Sequence, residues 1–279
     1  MAHIFRCDPT NVGDWHSPPF KYFPLKSSRV IDISDDRINL DSHKFVIVGG
    51  GGLGRDGFNA NLDLIRQNKE YTTIAWGVGT NTFTDRAAVL KQDQKFQMTD
   101  KFFEGFDEVG TREYLPSRKF RYVPCASCMS HLFHKYRNRR PSKTIGFYSH
   151  KRVPLLNKYR FGMFKGRHRP IITKHIQNAS MEDNNGRNLE EKLEFLSDHE
   201  YIVSNTFHGV YWATLLNRKV ISMPFKADAF YFKYPPVFGN ENLDDELFDK
   251  AKNHPDSLDD CRINNIEFYK YLIDKYGDF

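Results

Sequence analysis

Tyr201-Ile202-Val203-Ser204-Asn205-Thr206-Phe207-His208-Gly209-Val210 is the stretch on which the reading of the fold turns. A short apolar run stops at a small polar turn, which delivers His208 and Gly209 to the start of a helical segment. An α/β protein sets a titratable ring at the carboxyl end of a parallel strand in this way. Ligands gather there, because loops and helix N-termini converge on the crevice. Upstream, Phe45-Val46-Ile47-Val48 runs into Gly49, Gly50, Gly51 and Gly52, with Leu53-Gly54-Arg55-Asp56 behind them. Two such strand-to-loop sites predict two facing domains with chemistry between them.

Working outward, short β-rich runs alternate with helical periodicity, the pattern of βαβ units and a parallel sheet. Strands are predicted at Arg29–Ile33, Phe45–Val48, Thr73–Trp76 and Asp107–Gly110 in the first half. In the second half they are predicted at Thr144–Tyr148, Pro170–Thr173, Tyr201–Ser204 and Val220–Met223. Helices are predicted at Asn59–Gln67, at Leu189–Leu196 with Leu189, Leu193 and Leu196 on one face, and at Val210–Leu216. Two more follow Leu243, the last marked by Ile266, Tyr269, Ile273 and Tyr276. The polar, basic stretch from Tyr136 to Lys143, broken by Pro141, is the expected domain boundary. It divides the chain into residues 1–138, carrying the glycine run, and 139–279, carrying the His208 turn and the final helices.

A chain of 279 residues can bury one large or two modest cores. The opening residues do not read as a signal peptide, and no apolar run approaches the roughly 18 residues of a membrane span. A cytoplasmic protein is the expectation. Cys7, Cys125, Cys128 and Cys261 are too few for a disulfide framework at this length, so reduced thiols are expected. The net charge of +6 and a pI near 9.0 favour anionic ligands: phosphates, carboxylates or an acidic lipid surface.

Read in order, the motifs are Asn11-Val12-Gly13-Asp14, Gly49-Gly50-Gly51-Gly52-Leu53, Trp76-Gly77-Val78-Gly79-Thr80-Asn81, Val109-Gly110-Thr111-Arg112-Glu113, Val123-Pro124-Cys125-Ala126-Ser127-Cys128 and Ser204-Asn205-Thr206-Phe207-His208-Gly209. This ordered set resembles the polysaccharide pyruvyl transferase family, over roughly the first 225 residues. The resemblance implies a GT-B-like α/β architecture, with two Rossmann-type domains whose parallel sheets face a cleft. It also implies transfer of a pyruvyl group from phosphoenolpyruvate to sugar hydroxyls, forming a ketal during surface-glycan or exopolysaccharide biosynthesis. The expected partners are then phosphoenolpyruvate and a sugar or glycan acceptor, with a lipid-linked acceptor at the inner membrane face among the options.

That chemistry needs a proton for the enol carbon, a base for the attacking hydroxyl and cations for phosphate and carboxylate. Histidine suits acid–base work near neutral pH. No step requires a metal or an organic cofactor. His208, beside a helix N-terminus, is the first choice for the acid or phosphate contact. Asp56 resembles an acidic residue that the family carries after its triple glycine, a candidate base for the acceptor. Arg152, with Lys151 and His150 beside it, is the candidate grip on the donor's anionic groups. Gly50, Gly51 and Gly52 allow close backbone approach and an anion-binding nest. Asn11 and Asp14 are candidates for acceptor hydroxyls, or form a plain Asx turn. Asn205, Thr206 and Gly209 complete the expected substrate-binding set.

Two other readings keep the scaffold. A nucleotide-sugar glycosyltransferase would want a glutamate after the His208 helix, where Met223–Asp228 offers only Asp228. A glycan-binding module would keep the cleft without turnover. Cys125-x-x-Cys128-x-x-His131-x-x-His134 has zinc-ligand types but the spacing of no common zinc site, and buried packing cysteines are the favoured reading. The basic clusters Lys135–Arg140 and Lys165–Arg169 lack any nucleic-acid-binding signature, and no nucleic-acid partner is expected.

Overall fold

The computed structural model describes residues 1–26, 29–54, 56–68, 70–79, 100–114, 119–156, 179–223, 231–239 and 243–277. Among them two sheets form, and every strand pairing in both is parallel. The first has the order β2-β1-β3-β4-β5-β6, from β1 (Ala2–Phe5), β2 (Arg29–Asp32), β3 (Phe45–Gly49), β4 (Thr72–Val78), β5 (Glu108–Thr111) and β6 (Arg121–Tyr122). The second has the order β11-β10-β9-β7-β8, from β7 (Lys143–Ser149), β8 (Ser180–Asp183), β9 (His199–Ser204), β10 (Lys219–Ser222) and β11 (Val237–Phe238). This is the doubly wound α/β arrangement expected, built twice.

In both sheets the chain moves out one way and then returns past its starting strand. The reversal falls between β1 and β3 in the first sheet and between β7 and β9 in the second. Loops leaving the carboxyl ends of those strand pairs diverge and leave a crevice, the usual ligand position in such sheets.

Both faces of the first sheet are covered at its centre, so β3 and β4 read as near-continuous apolar runs. Val46 and Val48 point to one face with Leu62 and Ile65 of α2 (Asn59–Gln67), where Phe103 of α3 (Asp100–Phe103) also packs. Ile47, Ile74 and Trp76 point to the other face, with Phe268 and Leu272. Those last two belong to α8 (Ser257–Tyr276), which starts against the second lobe and ends on the first sheet. At its start the Ser257 hydroxyl donates to the Thr214 carbonyl at 2.9 Å. Further along, Asn265 Oδ1 accepts from Trp76 Nε1 at 2.9 Å, and Lys275 Nζ reaches Glu108.

In the second sheet, Tyr148, Ile202 and Val220 pack with α5 (Leu189–Ser197) and α6 (Phe207–Leu215). Phe147, Val203 and Ile221 pack on the opposite face with Phe248 of α7 (Asp245–Lys250). Every residue of α6 is buried, which explains why its sequence lacks a polar stripe. The Thr206 hydroxyl accepts from the Gly209 N–H at 2.9 Å and caps this helix, placing His208 in its first turn. The sequence reading starts the helix at Val210, three residues late, because it counts the capping turn as loop.

Four strands escape the sequence reading. β1 hides in an opening segment whose His3 breaks the apolar run, and β8 is the polar, half-buried edge Ser-Met-Glu-Asp. β6 and β11 are too short to carry a pattern. The strand expected at Pro170–Thr173 lies outside the described residues.

Candidate active site

Most of the residues singled out in sequence stand on the loops at the two reversals. Asn11 and Asp14 follow β1, Gly50 to Gly52 follow β3, His150 to Arg152 follow β7, and Asn205 to Gly209 follow β9. The loops of the two lobes touch directly. The Val12 N–H donates to the Asn184 carbonyl at 3.0 Å, and Asn184 Nδ2 donates to Asn11 Oδ1 at 3.2 Å. His16 Nε2 lies 2.8 Å from the Arg187 carbonyl, and Lys151 Nζ donates to the Thr10 carbonyl and hydroxyl.

The first-lobe turn is built by Asn11. Its Oδ1 caps α1 (Val12–Trp15) by accepting the Gly13 N–H at 3.2 Å, while its Nδ2 donates to Asp14 Oδ2 at 2.7 Å. Gly50 has φ +81, and a Cβ there would sit 2.3 Å from the Ser17 carbonyl oxygen. Only glycine lets the β3 loop lie so close to the β1 loop. Gly51 has φ +86, and a Cβ there would meet Asp14 Oδ1 at 3.5 Å, while Gly52 is half-buried.

His208 closes the gap from the second lobe. A Cβ added to Gly13 would lie 2.2 Å from His208 Nδ1, so the imidazole rests against the first-lobe turn. Its Nε2 is 3.4 Å from Cys125 Sγ, and its ring lies 4.9 Å from that of Trp212. The ring is 8 % exposed. Burial, reinforced by the Arg112 guanidinium and by His16, pulls its pKa well below the usual histidine value. The ring is therefore neutral at pH 7, and a bound phosphate or carboxylate would pull the pKa back upward.

Arg112 escapes the sequence reading as a site residue, although its motif is among those quoted. It follows β5, is 3 % exposed, and lays its guanidinium 3.8 Å over the Phe207 ring. A Cβ on Gly79 would come within 2.2 Å of its Nε, so the second glycine of Trp76-Gly77-Val78-Gly79 makes room for it. A buried arginine at a strand's carboxyl end is the signal that position in the motif could have given.

The remaining candidates divide by what their side chains already hold. Asn205 accepts the His150 N–H at 2.7 Å and donates to the Val153 carbonyl at 2.6 Å, pinning the β7 loop. Gly209 lets α6 close on Ser204 and Tyr148. His150 Nδ1 accepts the Arg152 N–H, leaving the Arg152 side chain exposed. Lys151 also pairs with Asp8 at 3.8 Å, so it ties the lobes together in this arrangement. Asp56 opens a single 3-10 turn, and its side chain lies outside the described set.

Cys125 and Cys128 are fully buried, whereas His131 and His134 are exposed on or beside α4 (Leu132–Tyr136). His134 meets Arg262 at 2.8 Å. Among the described residues, no group of three or more His, Cys, Asp or Glu gathers in a way that could hold a metal. In the Lys135–Arg140 cluster, Lys135 pairs with Glu190, Arg137 with Asp259, and Arg139 with Glu194 and Asp198. The Lys165–Arg169 cluster and Asp228 lie outside the described residues. Among the described residues no helix is long and apolar enough to cross a membrane.

Fold and site together define a two-lobed α/β protein with a histidine and an arginine buried where the lobes meet. Residues 3–225 match the family described as polysaccharide pyruvyl transferase, and the chain belongs to that family. The match ends before α7 and α8. One similar solved structure is that of a functionally uncharacterized protein from Klebsiella pneumoniae subsp. pneumoniae NTUH-K2044. It is 17 % identical over 86 % of this chain and 92 % of that one, with a TM-score of 0.42. No curated protein matches the sequence.

Proposed function

We propose that this chain moves a pyruvyl group from phosphoenolpyruvate onto two hydroxyls of a sugar, forming a cyclic ketal in surface-glycan biosynthesis. The enol carbon takes a proton and becomes a methyl group. A sugar oxygen bonds to the adjacent carbon, phosphate leaves, and a second hydroxyl of the same sugar closes the ring. One observation carries the reading within a family of transferases: the His208 ring sits against Gly13 of the opposite lobe, beside the buried Arg112.

In this scheme His208 contacts the donor's anionic group and serves the proton transfer, its pKa raised by the charge it meets. Arg152, Lys151 and His150 approach the donor from the β7 loop, and Lys151 must first release Thr10. Asn11, Asp14 and Gly50 to Gly52 shape the acceptor side, where Asp56 is the proposed base. Asn205, Thr206 and Gly209 hold the β9 turn in register for the substrate. The same reading divides the chain into lobes 1–138 and 139–279, with α8 crossing back to the first. It places the reaction in the cytoplasm on a sugar or glycan acceptor; a lipid-linked acceptor would be met at the inner membrane face.

The test pairs binding with product. Phosphoenolpyruvate at about 100 times its dissociation constant adds roughly 2.7 kcal/mol to stability, a shift easily seen on melting. Incubation with phosphoenolpyruvate and β-galactoside or N-acetylmannosamine acceptors should release phosphate and yield a sugar carrying a ketal-linked pyruvyl group. Stabilisation by nucleoside diphosphates and not by phosphoenolpyruvate would transfer the assignment to a glycosyltransferase. Glycan binding with no turnover, unaffected by His208→Ala, would leave only a binding module.

A further inference from the structure

Trp212, Ser127, Cys125 and His208 form a chain of polar contacts whose direction is fixed at one end. Trp212 Nε1–H can only donate, and it donates to Ser127 Oγ at 2.9 Å. The Ser127 hydroxyl is 0 % exposed, and the Cys125 sulfur at 3.2 Å is its remaining acceptor among the described residues. The Ser127 backbone N–H also acts on that sulfur. With both donors directed at it, the thiol's own proton is left to face His208 Nε2 at 3.4 Å. Nε2 is then the acceptor, and the proton of the neutral ring resides on Nδ1. Nδ1 is the nitrogen that lies against Gly13 of the opposite lobe.

We propose that Cys125 is a positioning residue that fixes His208 as the Nδ1–H tautomer, so that the ring offers a hydrogen-bond donor to the opposite lobe. The inference rests on the reading that His208 works on substrate, and it narrows that role. The group presented to the ligand is an N–H, suited to an anionic oxygen, and the basic lone pair is turned inward. The thiol can do this because its own frame is rigid. The Tyr211 hydroxyl donates to the Cys125 carbonyl at 2.9 Å, and Asn265 Nδ2 donates to the Pro124 carbonyl at 3.1 Å. Cys125 is wholly buried and His208 is 8 % exposed, so the thiol–imidazole contact is shielded from competing water. The charged or titratable groups acting on the ring are Arg112 and His16, and on the thiol Arg112 and Asp14. A buried cysteine that looks like packing in sequence thus acquires a partner.

The two ring nitrogens can be read directly. In protein labelled with nitrogen-15 histidine, proton–nitrogen correlation distinguishes a protonated ring nitrogen from a bare one, and the spectrum of His208→Gln assigns the signals. The expected result at pH 7.5 is a proton on Nδ1 in the native chain and in Cys125→Ser, whose hydroxyl replaces the thiol as donor. Cys125→Ala should move the proton to Nε2 or average the two forms, with turnover falling on the order of tenfold while Cys125→Ser recovers it. Should Cys125→Ala fold poorly, Ser127→Ala leaves Cys125 and His208 in place but removes the hydroxyl that directs the thiol, and the Nδ1 proton should again shift or average; an unchanged tautomer there counts against the proposal. A proton on Nε2 in the native chain, or an unchanged tautomer in Cys125→Ala, overturns the proposal. Because the tautomer is read without substrate, that failure is separate from finding no pyruvyl transfer.

Discussion

Gly13→Ala is the sharpest mechanical test of how the lobes meet. The new methyl carbon would start 2.2 Å from His208 Nδ1, 2.7 Å from Cγ and 2.9 Å from Cε1. Side chains do not approach so closely, and the imidazole has little room to retreat. Cys125 lies behind Nε2, and the Trp212 and Phe207 rings lie 4.9 and 5.2 Å away. Forcing a methyl group into such a place costs about 1–3 kcal/mol. The gain in helix propensity offsets little of this, because α1 has a single turn. The net loss should be about 2 kcal/mol, read as a drop in the urea midpoint. A double-mutant cycle isolates the contact: in a His208→Ala background the methyl group has space, and most of the penalty should vanish. If Gly13→Ala costs the same in both backgrounds, the ring does not rest on the first-lobe turn and the account of the gap is wrong.

Two further outcomes test the architecture around the site. His3, 1 % exposed and without a polar partner among the described residues, has a pKa pulled by burial from 6.5 down to about 4. Below pH 6.5 the unfolded chain takes up a proton that the folded chain refuses. Stability is therefore whole above that pH and falls through the window down to about 4. At pH 5 the loss is about 2 kcal/mol. His3→Leu should remove this part of the acid sensitivity in denaturation curves at pH 7.5 and 5, and parallel losses in both proteins would refute it. Asn265→Leu removes the acceptor of Trp76 Nε1 and a donor to the Pro124 carbonyl, leaving two buried groups unsatisfied. It should cost about 3 kcal/mol, and a loss under about 1 kcal/mol would mean that α8 is not tied to the first sheet in this way.

Most interior strands are legible in the sequence because they are buried on both faces; β1, equally buried between β2 and β3, is missed because His3 breaks its apolar run. Phe45–Val48 and Tyr201–Ser204 could hardly be anything else. Edge strands carry a weaker mark: the Val30-Ile31 pair suffices for β2, whereas β8, half-buried throughout, reads as a polar loop. Of the site, the sequence marks the loops, since glycine runs and polar turns at strand ends are local features. It does not mark which groups meet. Arg112 and Cys125 reach His208 from segments roughly 90 residues away in sequence, joined only by the tertiary fold. Lys151, which looks from its sequence like a free cation, is occupied by the opposite lobe.

The donor is proposed to bind where Gly13 and His208 now touch, so the two must part to admit it, and a crystal soaked with phosphoenolpyruvate shows whether they do. The donor should lodge between the two lobes, with a phosphate or carboxylate oxygen within about 3 Å of His208 Nδ1. The Lys151 side chain should be withdrawn from Thr10. Donor density seated elsewhere on the chain, with His208 still packed on Gly13 and touching no ligand, would contradict this binding mode.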